Sequence, residues 1–199
     1  MNAAAIILSG GKSSRMGTNK ALLIINEQTN LERMSESLKT VFEDIILVTN
    51  EPKEYEFLEV KMTSDQYPGM GPLAGLHAGL LASKYDVNFM VACDMPFVSA
   101  ELAAVLVELC GDYDAVIPVI NGTQHPLFAV FKKIAAEKAA NCIEAGNLRM
   151  KQLLEQLNVR YVTENDLKNF TQMDIERVFF NMNHPNEYEA AKKWAEAEQ

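Results

Sequence analysis

Short apolar runs alternate with amphipathic segments along the first 110 residues of the chain. Residues 3–9 form an apolar run ending at Gly10-Gly11, which is typical of a strand buried on both faces and followed by a turn. Thr29 and Glu32 form a capping-box pattern, so we expect a helix to begin there. Similar patterns predict strands at residues 45–49, 60–63 and 87–92 and helices at 73–83 and 100–109.

The alternation of strands and helices continues through the second half of the chain. Its patterns predict strands at residues 115–119, 124–131, 159–162 and 178–181, and helices at 132–144, 148–157 and from 185 onwards. Such alternation implies right-handed crossovers, so the predicted fold is three-layer α/β/α with a mostly parallel central sheet. No repeat, low-complexity stretch or linker divides the 199 residues, and we therefore expect residues 1–199 to form one domain.

The charge of the chain is unevenly distributed. Eighteen Lys and Arg residues against 27 Asp and Glu give −9, which argues against nucleic-acid binding because that affinity depends on neutralising phosphates. Residues 1–26 nevertheless hold Lys12, Arg15 and Lys20 and no acidic residue. The apolar runs are too short for a membrane span or an export signal, so we expect a cytoplasmic protein without membrane contact. Three cysteines without a CxxC pair predict reduced, mostly buried thiols.

The loop at residues 9–20 combines glycines with basic residues. Glycines let the backbone approach a ligand closely, and successive N–H groups with basic side chains form a cradle for an anion such as a polyphosphate. Gly11-Lys12-Ser13 is not a Walker A loop, because Ile6 stands where that pattern requires glycine. A solvated turn with scattered basic residues is the alternative, and the letters alone leave both interpretations open.

Asp94 directly follows the predicted strand at residues 87–92. Parallel sheets bind ligands beyond the carboxyl ends of their strands, and a carboxylate there suits a hard divalent cation that also contacts substrate phosphates. The alternative role is a helix cap, but Ser99 already fills it for the next helix. Asp65 has a similar place after a shorter predicted strand.

Residues 69–74 match the dinucleotide fingerprint GxGxxA by letters, but they follow a polar loop deep in the chain and not the first strand. We interpret them as a loop whose backbone, at Gly71, approaches a base or sugar, with plain turn residues as the alternative. Asn181 and Asn183 follow a predicted strand, so their amides either face the sheet end together or bond locally to the backbone.

The three histidines, His77, His125 and His184, have no partner at metal-ligand spacing, so we expect structural or surface roles for them.

Taken together, these loops resemble known nucleotide-binding segments. The first group is Ile7-Leu8-Ser9-Gly10-Gly11, Ser14-Arg15-Met16-Gly17 and Lys20, which resembles the signature of the Rossmann-like nucleotidyltransferases. The second group is Asp65, Gly71-Pro72-Leu73-Ala74-Gly75, Cys93-Asp94-Met95-Pro96-Phe97, His125-Pro126 and Asn181-Met182-Asn183-His184-Pro185. The order of these motifs along the chain resembles that of the molybdenum cofactor guanylyltransferase family. The resemblance spans residues 3–190.

The resemblance implies a Rossmann-like nucleotidyltransferase fold and a role for each matching position. The implied GTP-binding residues are Leu8, Ser9, Gly10, Gly11, Lys20, Asn50, Asp65, Gly71 and Asp94. The implied catalytic residues are Arg15, Lys20 and Asp94. Asp94 would also bind Mg²⁺, with Mn²⁺ as the alternative metal ion. Asn181 and Asn183 would bind molybdopterin. Ser9, where the family usually has alanine, and His184, where threonine is common, depart from the pattern.

The implied reaction transfers GMP from GTP to the terminal phosphate of molybdopterin, releases pyrophosphate and forms molybdopterin guanine dinucleotide. Residues 1–110 would then hold the nucleotide and residues 111–199 the acceptor. GTP and molybdopterin are the expected partners, and transient contact with other cofactor-assembly proteins fits the family. Two alternatives stay open: a cytidylyltransferase acting on molybdopterin or a sugar-alcohol phosphate, and an inactive nucleotide-binding module.

Overall fold

The computed structural model describes residues 1–9, 19–168 and 174–197. The strands within these residues are β1 (Ala4–Leu8), β2 (Ile24–Ile25), β3 (Gln28–Thr29), β4 (Asp44–Val48), β5 (Lys61–Thr63), β6 (Val87–Ala92), β7 (Ala115–Ile120), β8 (Thr123–Gln124), β9 (Phe128–Lys132) and β10 (Val159–Thr163). The α-helices there are α1 (Asn30–Lys39), α2 (Pro72–Ala82), α3 (Ala100–Glu108), α4 (Ile134–Glu144), α5 (Met150–Leu154), α6 (Glu164–Leu167), α7 (Ile175–Val178) and α8 (Pro185–Glu196). Within the same residues, two 3₁₀ helices occupy Lys20–Leu22 and Pro52–Leu58.

β1 lies inside the main sheet, whose order is β10-β7-β9-β6-β1-β4-β5, with β8 paired to β7. It runs parallel to both neighbours, and Ile6 is aligned with Ile46 of β4 and Met90 of β6. β5 is parallel to β4 and β10 to β7, whereas β9 is antiparallel to both β6 and β7. The predicted mostly parallel sheet is confirmed, with the antiparallel β9 joining two parallel sets of strands.

Helices cover both faces of the sheet, as the apolar run of β1 requires. Successive side chains of a strand point to opposite faces, so Ile7 packs in one core with Leu31 of α1 and Leu102 of α3. Ile6 packs in the other core, with residues of α2, α4 and α5 such as Leu76. Burying one such side chain fully contributes roughly 1.5–3 kcal/mol relative to exposure. The three-layer α/β/α fold is thus confirmed.

α2 runs unusually close to β1. A Cβ atom on Gly79 would lie 2.5 Å from the Ile6 Cγ2 atom, and one on Gly75 would lie 3.1 Å from the Leu8 Cδ2 atom. Because Gly75 meets the carboxyl end of β1 and Gly79 its middle, the helix points its N-terminus towards the carboxyl edge of the sheet. The glycines of this helix therefore set how the preceding loop reaches that edge.

The predicted strand at residues 124–131 is wrong in its middle. The structure has two separate strands, β8 and β9, and the turn between them is closed by the Phe128 N–H, which donates to the His125 carbonyl at 3.1 Å. Pro126 lies in this turn and has no N–H for a sheet ladder. The apolar pattern detects the strand residues but not this interruption.

The predicted strand at residues 178–181 is also wrong. The segment begins in helix α7, where the Asp174 side chain accepts a hydrogen bond from the Arg177 N–H, and continues without regular structure. Phe179 is buried by ring packing instead, with ring centroids 4.6 Å from His125 and 4.7 Å from Phe128. Apolar residues thus reach the core here without forming a strand.

Within the described part of the chain, no helix combines the length and the apolar composition that crossing a membrane demands.

Candidate active site

The carboxyl ends of β1, β4 and β6 lie side by side, since β1 has the other two strands as neighbours. Backbone hydrogen bonds extend past the strand ends: the Ser9 N–H donates to the Val48 carbonyl, and the Cys93 N–H donates to the Leu8 carbonyl, both at 3.0 Å. Leu8, Ser9 and the turn that carries Asp94 therefore lie at one edge of the sheet. This is the edge where open α/β sheets bind ligands.

Lys20 brings two of the predicted site residues together. Its ammonium Nζ lies 3.7 Å from the Asp94 Oδ2 atom and donates a hydrogen bond of 2.9 Å to the Asn183 Oδ1 atom. The Lys20 and Asp94 side chains are 16% and 24% exposed, so both remain accessible to a ligand while partly shielded from water. Residues far apart in sequence thus form a single polar cluster.

The environment of Asp94 favours a cation beside its carboxylate. Burial raises the pKa of this carboxyl, and the Lys20 ammonium acts in the opposite direction. No group of three metal-binding side chains gathers among the residues that the structure describes. One accessible carboxylate suits Mg²⁺, which takes one or two protein carboxylates and completes its shell with water and substrate phosphates.

Buried contacts hold the Asp94 turn from two sides. The fully buried Asn30, at the start of α1, donates from its side-chain amide to the Cys93 carbonyl. The N–H of Met182, which is also fully buried, donates to the Asp94 carbonyl at 2.8 Å. Glu187 then accepts from the backbone N–H of Asn183. The segment after α7 is in this way fixed against the turn after β6.

Asn50 and Asp65 form a second polar pair, after β4 and β5. The Asn50 Nδ2 atom donates to Asp65 Oδ2 at 2.7 Å, and the Asp65 N–H donates to Asn50 Oδ1 at 3.2 Å. The other carboxylate oxygen, Oδ1 of Asp65, is buried and has no hydrogen-bond partner among the residues that the structure describes. These two residues, both implied by the resemblance to bind GTP, are therefore in direct contact with each other.

Gly71 adopts a backbone conformation that favours glycine. Its φ is +69°, and a Cβ atom there would meet no atom of the described residues within 4 Å. The structure therefore explains this glycine by the turn that leads into α2. Its predicted contact with a base stays a prediction.

The two predicted acceptor asparagines behave differently. Asn183 hydrogen-bonds to Lys20, whereas the side-chain amide of Asn181 donates to the Phe179 carbonyl two residues earlier. This local bond is the alternative that the sequence left open for such a pair. Gly10, Gly11 and Arg15, also predicted for the site, lie outside the described residues.

Cys93 lies next to Asp94 but is unsuited to act as a nucleophile. Burial, followed by the Asp94 carboxylate, raises the pKa of its thiol to about 12, so the thiol stays protonated near neutral pH. His125 packs its ring against Phe179, and burial lowers its pKa. His184 directly precedes α8. The structural or surface roles expected of the two histidines stay predictions.

Tyr55 is a site-edge residue that the sequence does not reveal. Its hydroxyl accepts hydrogen bonds from Ser9 Oγ at 2.9 Å and from Asn19 Nδ2 at 2.7 Å, and its side chain is almost fully buried. It lies in the 3₁₀ helix Pro52–Leu58, whose sequence carries no recognisable binding pattern. Only the three-dimensional contact with both ends of the residue 9–20 loop marks it.

Comparison with known proteins agrees with this arrangement. The model of the MobA-like NTP transferase domain matches residues 5–161. The chain belongs to this family of nucleotidyltransferases, as its sheet and its carboxyl-edge site also indicate.

The similar proteins carry a narrower name. A protein of Peptoclostridium acidaminophilum named probable molybdenum cofactor guanylyltransferase is 36% identical, over 90% of this chain and 83% of its own length. A protein of the same name from Pelotomaculum thermopropionicum is 34% identical, over 98% of this chain and 95% of its own. The crystal structure of molybdopterin-guanine dinucleotide biosynthesis protein A from Archaeoglobus fulgidus superposes with a TM-score of 0.84, over 98% of this chain and 99% of that one. The two sequences are 28% identical.

Proposed function

We propose that this protein is a molybdenum cofactor guanylyltransferase, which transfers GMP from GTP to the terminal phosphate of molybdopterin and releases pyrophosphate. The observation that carries the proposal is the position of Lys20, whose ammonium contacts Asp94 and Asn183 at once. Asp94 is the predicted cation ligand and Asn183 a predicted acceptor contact. A single basic group between them suits a reaction in which two phosphate-bearing substrates meet.

The reaction needs charge neutralisation and alignment. The terminal phosphate oxygen of molybdopterin attacks the α-phosphorus of GTP, a new P–O bond forms, and the bond to the departing pyrophosphate breaks. Lys20 binds the phosphates, and Asp94 holds a divalent cation, Mg²⁺ in this proposal. When bound, Mg²⁺ supplies additional positive charge to the phosphates. Positioning and electrostatic stabilisation account for most of the rate in phosphoryl-type transfers.

The remaining assignments complete the proposal. Asn50 and Asp65 hold the guanosine. The Asp65 Oδ1 atom, for which the described residues provide no hydrogen-bond donor, supports this role because a guanine offers N–H donors to such an acceptor. Residues 1–110 hold the nucleotide and residues 111–199 the acceptor, in the cytoplasm. Arg15 assists at the triphosphate, and Asn181 contacts molybdopterin together with Asn183.

The decisive experiment measures pyrophosphate release from GTP in the presence of molybdopterin and Mg²⁺. Asp94→Ala should lower this rate at least about 100-fold, since it removes the carboxylate that holds the cation. Asp112→Asn, which neutralises an exposed carboxylate before β7, is the matched control and should keep the wild-type rate. Full activity of Asp94→Ala would overturn the assignment of Asp94.

The choice of nucleotide has its own test. Calorimetric titration with GTP and CTP should show tighter binding of GTP, in line with the proposed guanosine contacts of Asn50 and Asp65. Tighter CTP binding would replace the proposal with a cytidylyltransferase. Nucleotide binding without pyrophosphate release in the presence of molybdopterin would favour an inactive binding module.

A further inference from the structure

A buried tyrosine links the end of β1 to the residue that precedes Lys20. The Tyr55 side chain is 2% exposed, and its hydroxyl accepts from Ser9 Oγ at 2.9 Å and from Asn19 Nδ2 at 2.7 Å. Asn19 also donates to Glu54 Oε2 at 3.1 Å, so its amide is held by two neighbouring residues of the 3₁₀ helix Pro52–Leu58. One hydroxyl thus connects two separate segments of the site.

Asn19 transmits this contact to Lys20. Its Oδ1 atom accepts from the Ala21 N–H at 3.1 Å, and it caps the 3₁₀ helix Lys20–Leu22, in which Lys20 is the first residue. The Asn19 side chain therefore fixes the backbone from which the Lys20 ammonium reaches Asp94 and Asn183. Moving Asn19 would move the origin of that long side chain, and a small displacement there changes where the ammonium lies.

Ser9 anchors the same hydroxyl to the sheet. Its N–H is bonded to the Val48 carbonyl at 3.0 Å, so its side chain starts from a fixed place at the end of β1. The Ser9 hydroxyl donates to the Tyr55 hydroxyl from this fixed place. The Tyr55 hydroxyl is therefore held at the end of β1.

We propose that Tyr55 is a positioning residue for phosphate binding, because its hydroxyl holds Asn19, and through Asn19 the backbone of Lys20, against the end of β1. The inference rests on the proposed function, in which Lys20 binds the phosphates of the nucleotide. Tyr55 itself touches no substrate. Its loss should weaken the binding of the triphosphate while leaving the binding of the nucleoside unchanged.

The test compares the wild-type protein with Tyr55→Phe, which keeps the buried ring and removes only the hydroxyl. Calorimetry should show the Kd for GTP raised about tenfold, because the buried Ser9 hydroxyl and the partly buried Asn19 amide lose their shared acceptor, while the Kd for guanosine changes less than about twofold. Tyr161→Phe removes an exposed hydroxyl from β10 and should leave both constants unchanged. An unchanged GTP affinity, or equal weakening for GTP and guanosine, would overturn the inference.

A double-mutant cycle tests the route through Lys20. If Tyr55 acts through Lys20, then Lys20→Ala and the double variant Lys20→Ala/Tyr55→Phe should bind GTP equally well, since the hydroxyl has nothing left to position. Additive losses would overturn the inference. The outcome is independent of turnover: absence of pyrophosphate release by the wild type refutes the proposed function, while these affinities, measured with whichever nucleoside triphosphate the wild type binds, still decide the role of Tyr55.

Discussion

At the scale of single residues, His77 combines burial with an unsatisfied polar atom. Its side chain lies inside α2 and is largely buried, and within the described parts of the chain its Nδ1 atom has no hydrogen-bond partner. Its ring meets the edge of Tyr67 at 5.2 Å between centroids, and the Tyr67 hydroxyl donates to Glu144 Oε1 at 3.2 Å. Burial lowers the pKa of His77, because the imidazolium would lose its hydration.

This burial predicts a loss of stability in mild acid. The unfolded chain, with an ordinary histidine pKa of 6.5, binds the proton more tightly than the folded chain. The contribution of His77 to the free energy of unfolding is therefore full above that pKa and decreases as the pH falls through it towards the lower folded-state value. Denaturant midpoints of wild type and His77→Phe, measured from about pH 8 to about pH 5, should show a smaller acid loss in the variant. Parallel curves would contradict this.

At the scale of elements, the glycines of α2 serve packing. The letters at residues 69–74 match a dinucleotide fingerprint, yet the close contacts belong to Gly75 and Gly79, further along the helix. A Cβ atom at Gly79 would approach Ile6, which is fully buried in the central strand. Because Ile6 has no room to move away, the helix would have to shift from the sheet.

We expect Gly79→Ala to lower the free energy of unfolding by about 1–2 kcal/mol, because overpacking exceeds the gain in helix propensity. Gly75→Ala is the graded comparison. There the new Cβ would lie 3.1 Å from a terminal methyl group of Leu8, which can adjust more easily, so the loss should be smaller. Denaturant unfolding of both variants measures the difference. A Gly79→Ala protein more stable than Gly75→Ala would refute this packing argument.

Several elements follow from sequence pattern alone, and the exceptions have physical causes. The apolar run that becomes β1 and the capping box at Thr29 both appear in the structure. The sequence pattern does not predict the interruption between β8 and β9 or the irregular path around Phe179. An apolar residue indicates burial, but it does not indicate whether the residue pairs with a neighbouring strand or packs against side chains. Pro126 was the local signal for the first error. The ring contacts of Phe179 with His125 and Phe128 are long-range and leave no local signal.

At the scale of the whole molecule, the site joins segments from both ends of the chain. Lys20 and Asn183 are 163 positions apart, and they meet because Met182 docks on the turn of Asp94. The sequence pattern predicted Lys20 in an anion-binding loop and Asp94 and Asn183 after strands, and the family resemblance supplied their roles. It did not reveal that one ammonium contacts the other two, since spacing along a chain does not encode such a contact, and it gave no indication of Tyr55.

Because Asn183 contacts Lys20 and Asn181 does not, we expect substitutions of the two asparagines to have different effects. Asn183→Ala should raise the KM for GTP about five- to tenfold, because Lys20 loses a hydrogen-bond acceptor, and should also raise the KM for molybdopterin. Asn181→Ala, whose amide bonds to Phe179, should raise the KM for molybdopterin alone. Steady-state kinetics with each substrate varied in turn would measure both effects. Equal effects of the two substitutions on GTP would show that the contact with Lys20 has no influence on nucleotide binding.

The contact between Met182 and Asp94 also determines when the site can form during synthesis of the polypeptide chain. A ribosome delivers the chain from its N-terminus, so β1, β4 and β6 emerge long before residue 182. A nascent chain of about 150 residues already carries Lys20 and Asp94 but lacks the Met182 N–H that bonds to the Asp94 carbonyl and the Asn183 oxygen that accepts from Lys20. The site is therefore completed only after residue 183 has been synthesised, and products that stop earlier carry an unfinished centre.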